Sequence, residues 1–157
     1  MALQLLELFR GFGSWKSKTK EENQIPVIHK NNWFWGTTYT FIFGSGKSII
    51  KLTTENDVPG IGILSGLSVL PCYTGKGLGK QTLEFTVSYA RGLGLESLEI
   101  SVERLPGNEW IVDWYKRIGF IEFLDNDPDY INFRMNLRDE GDEGNIKEGK
   151  TGDTSET

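Results

Sequence analysis

The chain has 157 residues, a formal net charge of −5 and 38% hydrophobic residues, which suit one globular domain and exclude a disordered or fibrous chain. The negative charge belongs to the C-terminal segment, because residues 139–157 hold seven acidic side chains and two lysines, whereas residues 1–138 hold 15 basic and 15 acidic side chains. A neutral folded part lacks the basic surplus that drives non-specific nucleic-acid binding, so no nucleic-acid partner is expected.

The N-terminal segment, residues 1–24, predicts a short amphipathic helix followed by a polar linker. Its apolar residues are interrupted by Glu7, and no basic residue precedes them. A secretory signal has the opposite charge order, and a membrane span needs roughly 20 apolar residues, so no membrane partner is expected. Cys72 is the only cysteine, which excludes an intramolecular disulfide and suits a reducing, cytoplasmic compartment.

Residues 26–71 predict a β-meander, because they are rich in β-branched and aromatic residues and are broken by glycines. We predict strands at 38–43, 49–54 and 61–70. Gly44 to Lys47 would form the tight connection between the first two, since glycine tolerates the positive φ of a hairpin turn. Trp33, Phe34 and Trp35 are expected in the core or in a wall of a substrate groove.

The second half of the chain predicts helix, strand, helix and a final hairpin. Leu83, Val87 and Ala90 recur at helical spacing within residues 79–91, and residues 97–103 alternate as in a strand. Asn108 can cap a second helix that ends at Gly119. Strands at 120–124 and 130–137 follow, and residues 139–157 should remain disordered. The predicted class is α/β of mixed α+β type, with helices flanking a sheet.

Residues 69–80 place three glycines at alternate positions between a strand and a helix. Such glycines let backbone N–H groups approach a ligand, and the helix N-terminus favours an anion, so a phosphate is the expected guest. A strand-to-helix turn without a ligand is the plainer alternative.

Two other phosphate motifs fit poorly. Gly75, Gly77 and Gly79 do not have the spacing of the dinucleotide fingerprint, G-x-G-x-x-G, and a meander precedes them. Residues 46–48 end like a P-loop, but Phe41 stands where its first glycine is needed, and a strand pattern follows. A generic nucleotide-binding protein is therefore the weaker interpretation.

Residues 64–120 resemble the GNAT superfamily of acetyltransferases. Its signature has Leu-x-Val-x-Pro and then [Gln/Arg]-x-x-Gly-x-[Gly/Ala], where this chain has Leu-Ser-Val-Leu-Pro at 67–71 and Thr-Gly-Lys-Gly-Leu-Gly at 74–79. The family also carries an Asn followed seven residues later by a Tyr, in a helix that ends in Gly-Phe. Asn108, Tyr115 and residues 119–120 match that spacing. Thr74 departs from the usual Gln/Arg, and the family usually places a strand and two helices, which commonly wall the acceptor site, before its hairpin.

The resemblance implies an acetyl-CoA-dependent N-acetyltransferase in which an amine attacks the thioester directly, without a metal. It implies that residues 25–138 form a GNAT-like domain with a central, mostly antiparallel mixed sheet and a shortened N-terminal part. In such proteins the strand at 64–70 splays from the strand at 97–103, and pantetheine lies in the gap. The implied cofactor-binding residues are Leu67, Ser68, Val69, Thr74, Gly75, Lys76, Gly77, Leu78, Gly79, Lys80 and Asn108.

The resemblance also implies two catalytic residues. Tyr115 would protonate the departing thiolate, since a phenol of pKa about 10 suits a thiol of similar basicity. Glu103 would relay a proton from the amine. The structural alternatives are a core aromatic for Tyr115 and a solvated carboxylate for Glu103. The expected partners are a small-molecule or peptide amine acceptor and a second copy in a homodimer. The second interpretation of the whole chain is a non-catalytic GNAT-like module that binds acetyl-CoA or a protein.

Overall fold

A computed structural model describes residues 25–124 and 127–138, which form seven strands and two α-helices. The predicted N-terminal helix and linker and the predicted acidic tail lie outside the described residues. No helix in the described ranges is long and apolar enough to cross a membrane. The strands are β1 (Val27–Trp33), β2 (Gly36–Phe43), β3 (Ser48–Glu55), β4 (Ile61–Val69), β5 (Ser97–Glu103), β6 (Ile121–Phe123) and β7 (Tyr130–Asn136), and the helices are α1 (Leu78–Gly92) and α2 (Glu109–Ile118).

The strands form one sheet in the order β1-β2-β3-β4-β5-β7-β6. Every neighbouring pair is antiparallel except β4 and β5, which are parallel. A parallel pair needs a crossover connection, and α1 provides it. The prediction of a mixed, mostly antiparallel sheet with flanking helices is confirmed. The predicted bounds of its elements differ from the observed bounds by two residues or fewer.

Both helices pack on the same face of the sheet. Leu83, Val87 and Ala90 of α1 are buried, as their spacing predicted. On β2, Phe41 is fully buried and lies opposite Ile50 of β3. The same face continues across the sheet through Leu52 and Leu64, Gly62 and Leu98, and Ile100 and Phe133, because register partners and alternate residues of a strand share a face.

The far end of this face is closed by α2. The rings of Tyr115 and Phe133 have centroids 6.1 Å apart, and the ring of Tyr115 meets that of Phe120 edge to face at 5.5 Å. The other face of β5 carries Glu99, paired with Arg134, and the Ser101 hydroxyl, which donates to Asn132. Along β5 and β7 the sheet therefore has an apolar face under the helices and a polar face opposite them.

One strand, β1, was not predicted. Its seven residues are all exposed except Ile28, which is half-buried, so the strand lacks the alternation by which a half-buried strand is detected. Only Phe34 and Trp35 connect β1 to β2. Gly36 follows them because a Cβ there would lie 2.0 Å from the carbonyl oxygen of Thr54.

The placement of Trp33, Phe34 and Trp35 in the core was wrong. They are 53%, 95% and 39% exposed at the turn between β1 and β2, and the two indole rings stack in parallel at 6.1 Å. Large apolar side chains usually enter a core, but here the backbone must turn within two residues at a sheet edge, where no element of the described residues buries them.

Candidate functional site

The parallel strands β4 and β5 separate along their length. They pair only where Ile61 to Ile63 face Ser97 to Glu99. Beyond that point β4 continues to Val69 and β5 to Glu103 without pairing to each other. Each strand keeps its outer neighbour, β3 or β7. The two inner edges therefore leave backbone groups without a partner among the described residues, along a V-shaped gap that opens towards the C-terminal ends of both strands.

A β-bulge in β4 lies beside this gap. Ser65 is opposite Lys51 and Ser68 is opposite Ile49, so two residues of β4 fit opposite one residue of β3. Gly66, one of the two, has φ of +62°, a conformation that glycine adopts without the steric cost of a side chain. A bulge bends its strand and increases its twist, which accounts for β4 diverging from β5 after residue 63.

The glycine loop connects the C-terminal end of β4 to α1. Pro71 to Tyr73 form one turn of 3₁₀-helix, and Gly75 and Gly77 follow with φ of +77° and +83°. In the described part of the chain, no protein acceptor bonds the backbone N–H groups of residues 75–80. Free N–H groups at the start of a helix form a site for an anion, and their electrostatic field favours a phosphate.

The polar side chains of this loop do not all point at its N–H groups. The Thr74 hydroxyl donates to the carbonyl oxygen of Leu70 at 3.3 Å. Lys80 lies 3.7 Å from Glu84 on the next turn of α1. Lys76 instead stands over the Tyr73 ring, with its Nζ 5.6 Å from the ring centroid. Of the predicted basic residues, Lys76 is therefore the one without a carboxylate partner among the described residues.

A basic residue that the sequence analysis missed is Lys47. Its Nζ lies 4.7 Å from the centroid of the same Tyr73 ring. Its carbonyl oxygen accepts a hydrogen bond from the Leu70 N–H at 2.9 Å, which ties the β2–β3 turn to the glycine loop. The pairing of Ser48 with Val69 sets this contact, and strand register of that kind leaves no local signal in the sequence.

The glycine loop lies close to both β4 and α2 at Gly79. A Cβ built on Gly79 would lie 3.4 Å from Val69 Cγ2 and 3.9 Å from Trp114 Cζ2. These two side-chain atoms are therefore no more than 7.3 Å apart, the sum of those distances. Val69 and Leu67 are half-buried and Ser68 is exposed, so the predicted contact strand offers both side chains and backbone to the gap.

Tyr115 lies on the apolar face and is only 4% exposed. Burial raises the pKa of its phenol to about 12, above the value of 10 that the sequence analysis assumed. In the described part of the chain no protein group bonds its hydroxyl, yet no fully enclosed side-chain oxygen lacks a partner. The hydroxyl oxygen therefore still reaches solvent-accessible space, although the residue as a whole is buried.

Asn108 and Glu103 meet at the end of β5. Asn108 occupies the predicted N-cap position of α2, but its side chain makes no capping bond. Its Nδ2 instead donates to the backbone carbonyl oxygen of Glu103 at 2.9 Å. The Glu103 side chain is exposed and, since Val102 faces the helices, it lies on the polar face, opposite Tyr115.

Two other residues whose side chains could act in catalysis or bind a metal lie apart from the gap or are not grouped with similar residues in the described part of the chain. His29 is exposed on the edge strand β1, and Cys72 is exposed in the 3₁₀ turn. Within residues 25–124 and 127–138, no group of three or more His, Cys, Asp or Glu side chains could hold a metal ion.

A family model described as the acetyltransferase (GNAT) family matches residues 14–120, more than half of the chain. No curated protein matches the sequence.

Solved structures share the fold at low sequence identity. The ribosomal-protein-S18-alanine N-acetyltransferase of Escherichia coli superposes with a TM-score of 0.57 at 18% identity, over 73% of this chain and 77% of that one. An acetyltransferase of the GNAT family from Staphylococcus aureus gives 0.52 at 17% identity, over 66% and 68%. The PaiA N-acetyltransferase of Thermoplasma acidophilum, in complex with coenzyme A, gives 0.53 at 21% identity, over 63% and 59%.

Proposed function

Because the chain belongs to the GNAT acetyltransferase family, we propose that it is an enzyme that transfers the acetyl group of acetyl-CoA to an amine. The observation that supports this most is the conjunction of a splayed β4–β5 pair with a glycine loop whose N–H groups have no acceptor among the described residues. A long ligand can place an anionic group on the N–H groups of the loop and a narrow, extended chain in the gap between the strands. A strand-to-helix turn that binds no ligand would require neither feature.

In this proposal the pyrophosphate of acetyl-CoA lies on the N–H groups of residues 75–80. The pantetheine arm enters the gap and takes the place of a strand beside Leu67, Ser68 and Val69, whose inner edge has unpaired backbone groups. The thioester then lies near the point of divergence, where free N–H groups of β4 can stabilise the negative charge that develops on its carbonyl oxygen. Asn108 holds the end of β5 through Glu103 and so maintains the width of the gap.

Tyr115 is the proposed proton donor to the departing thiolate. A phenol of pKa about 12 keeps its proton at neutral pH, which is the form that a general acid needs. Burial in a site from which the cofactor excludes water also raises the pKa of the coenzyme A thiol. The pKa values of the phenol and the thiol therefore remain similar. Glu103, on the polar face, is the proposed relay that accepts a proton from the amine.

The acceptor in this proposal is a small-molecule or peptide amine, which approaches from the polar face. We also propose a homodimer as the assembled form and a cytoplasmic location, which the single cysteine favours. No nucleic-acid or membrane partner is proposed.

A second candidate, a non-catalytic module that binds acetyl-CoA, is favoured by one observation: Tyr115 is 4% exposed and packs among aromatic rings as a core residue does.

Thermal unfolding with acetyl-CoA, with NAD and ATP as controls, tests the cofactor. A ligand at 100 times its dissociation constant adds about 2.7 kcal/mol to the free energy of unfolding. Release of free thiol from acetyl-CoA in the presence of a panel of amines then tests turnover. No thermal shift at millimolar acetyl-CoA would remove the proposal, and binding without thiol release for any amine would favour the second candidate.

A further inference from the structure

Two lysines from different parts of the chain converge on one tyrosine beside the glycine loop. Lys47 comes from the β2–β3 turn and Lys76 from the loop itself, and their Nζ atoms lie 4.7 and 5.6 Å from the centroid of the Tyr73 ring. Neither lysine forms an ion pair with the described residues. An aromatic face attracts both cations and restrains two otherwise flexible side chains at one place.

This lysine pair lies on the opposite side of β4 from the gap. The sheet order places β3, and with it the turn that carries Lys47, on one side of β4, and β5 on the other. A ligand whose pyrophosphate lies on residues 75–80 and whose pantetheine arm turns towards β5 leaves its nucleotide end to extend towards β3. The lysine pair thus stands where the nucleotide end would emerge.

We propose that Lys47 and Lys76, held on Tyr73, bind the 3′-phosphate of coenzyme A. This inference rests on the proposed function, which it deepens. A phosphate monoester carries close to two negative charges at neutral pH and has three strong acceptor oxygens, so two ammonium groups match it in charge and in donors. Thr74 supplies no charge and its hydroxyl is bonded to Leu70, and Lys80 is paired with Glu84, so the positive charge beside the loop that has no carboxylate partner among the described residues comes from these two lysines.

The test compares coenzyme A with 3′-dephospho-coenzyme A, which lacks only that phosphate. Dissociation constants are measured by isothermal titration calorimetry for the wild type and for the double variant Lys47→Gln/Lys76→Gln. We expect the wild type to bind coenzyme A about tenfold or more tightly than the dephospho form, the range of a hydrogen bond to a charged group. The double variant should lose that preference by weakening for coenzyme A alone.

Lys30→Gln is the matched control. Lys30 also stands over a tyrosine, with its Nζ 5.7 Å from the Tyr39 ring, but it lies on the edge strand β1. Lys30→Gln therefore removes one positive charge and one lysine–tyrosine contact away from the loop, half of what the double variant removes beside it. Lys47→Arg/Lys76→Arg, which retains both charges, should keep most of the preference.

The outcomes separate this inference from the function on which it rests. If the wild type binds neither form, the acetyl-CoA proposal fails and this one with it. If both forms bind equally well, or if the double variant weakens both by the same factor, coenzyme A remains the ligand and the 3′-phosphate assignment is overturned. An equal effect of Lys30→Gln would also overturn it, because long-range charge alone would then explain the result.

Discussion

Replacing Tyr115 by Phe tests both the buried environment of this residue and its proposed role. Burial raises the pKa of the phenol to about 12, whereas an unfolded chain holds a tyrosine near 10. Below pH 10 both states keep the proton, so Tyr115 adds no pH dependence. Between pH 10 and 12 the unfolded state loses its proton first, so stability falls as pH rises, by about 1.4 kcal/mol per pH unit and about 3 kcal/mol in total.

Urea unfolding from pH 8 to 11 measures this loss, provided that the native state persists there. The free energy of unfolding should fall more steeply above pH 10 for the wild type than for the Phe variant. Subtracting one curve from the other removes the contributions of other groups, such as Tyr89, whose pKa is also raised by burial. At pH 8 the two proteins should be about equally stable, because the Tyr115 hydroxyl has no hydrogen-bond partner to lose in the part of the chain that the structure describes. Identical alkaline slopes would refute the buried environment of Tyr115.

The same variant separates the enzyme from the binding module. A general acid contributes roughly 10² to 10⁴ in rate, so Tyr115→Phe should lower kcat by about that factor while the dissociation constant of acetyl-CoA stays unchanged. Equal turnover by both proteins would remove Tyr115 from the mechanism and leave it as a core aromatic.

The geometry leads to three further predictions. Gly77→Ala places a side chain at φ of +83° with open space around it, so backbone strain alone should cost about 1–2 kcal/mol in urea unfolding and weaken acetyl-CoA binding; an unchanged dissociation constant would contradict the role of the loop. Gly62→Ala puts a Cβ 2.7–2.9 Å from three leucine side chains and should cost about 1–3 kcal/mol, which a wild-type urea midpoint would disprove. Acetyl-CoA should change tryptophan fluorescence through Trp114, because Trp114 Cζ2 and Val69 Cγ2 lie 3.9 and 3.4 Å from a Cβ built on Gly79, beside the proposed sites of the pyrophosphate and the pantetheine arm. Trp114→Phe should abolish the change and Trp110→Phe should keep it, and the reverse result would place the arm elsewhere.

Elements with a regular apolar period were predictable from the sequence. Leu83, Val87 and Ala90 share the buried side of α1, and Leu98 and Ile100 alternate along β5, so local spacing alone locates both. The splay of β4 from β5 was expected only through the family resemblance, because no local pattern encodes where two strands separated by a helix stop pairing.

What the sequence could not indicate depends on contacts between distant segments. β1 has no alternation because both its faces are exposed, and Lys47 reaches the loop only through the register of β3 on β4. The pKa of Tyr115 likewise depends on rings from α2, the turn after it and β7, which enclose the phenol only in the fold. Motif spacing made Tyr115 a candidate catalytic residue, but the pKa of a free tyrosine could not anticipate the higher pKa of the enclosed one.

The two proposed proton-transfer groups lie on opposite faces of the sheet, and the gap between β4 and β5 joins those faces. Tyr115 projects from α2 onto the apolar face, while Glu103 lies with Ser101 and Asn132 on the polar face. A continuous sheet would separate them, since paired strands lie about 4.8 Å apart and leave no passage. Loss of pairing after Ile63 removes that barrier, so a thioester in the gap can present its sulfur to Tyr115 and its carbonyl carbon to an amine arriving beside Glu103. The bulge at Gly66 is therefore the feature on which the proposed chemistry depends, because it bends β4 at the point where the two faces must communicate.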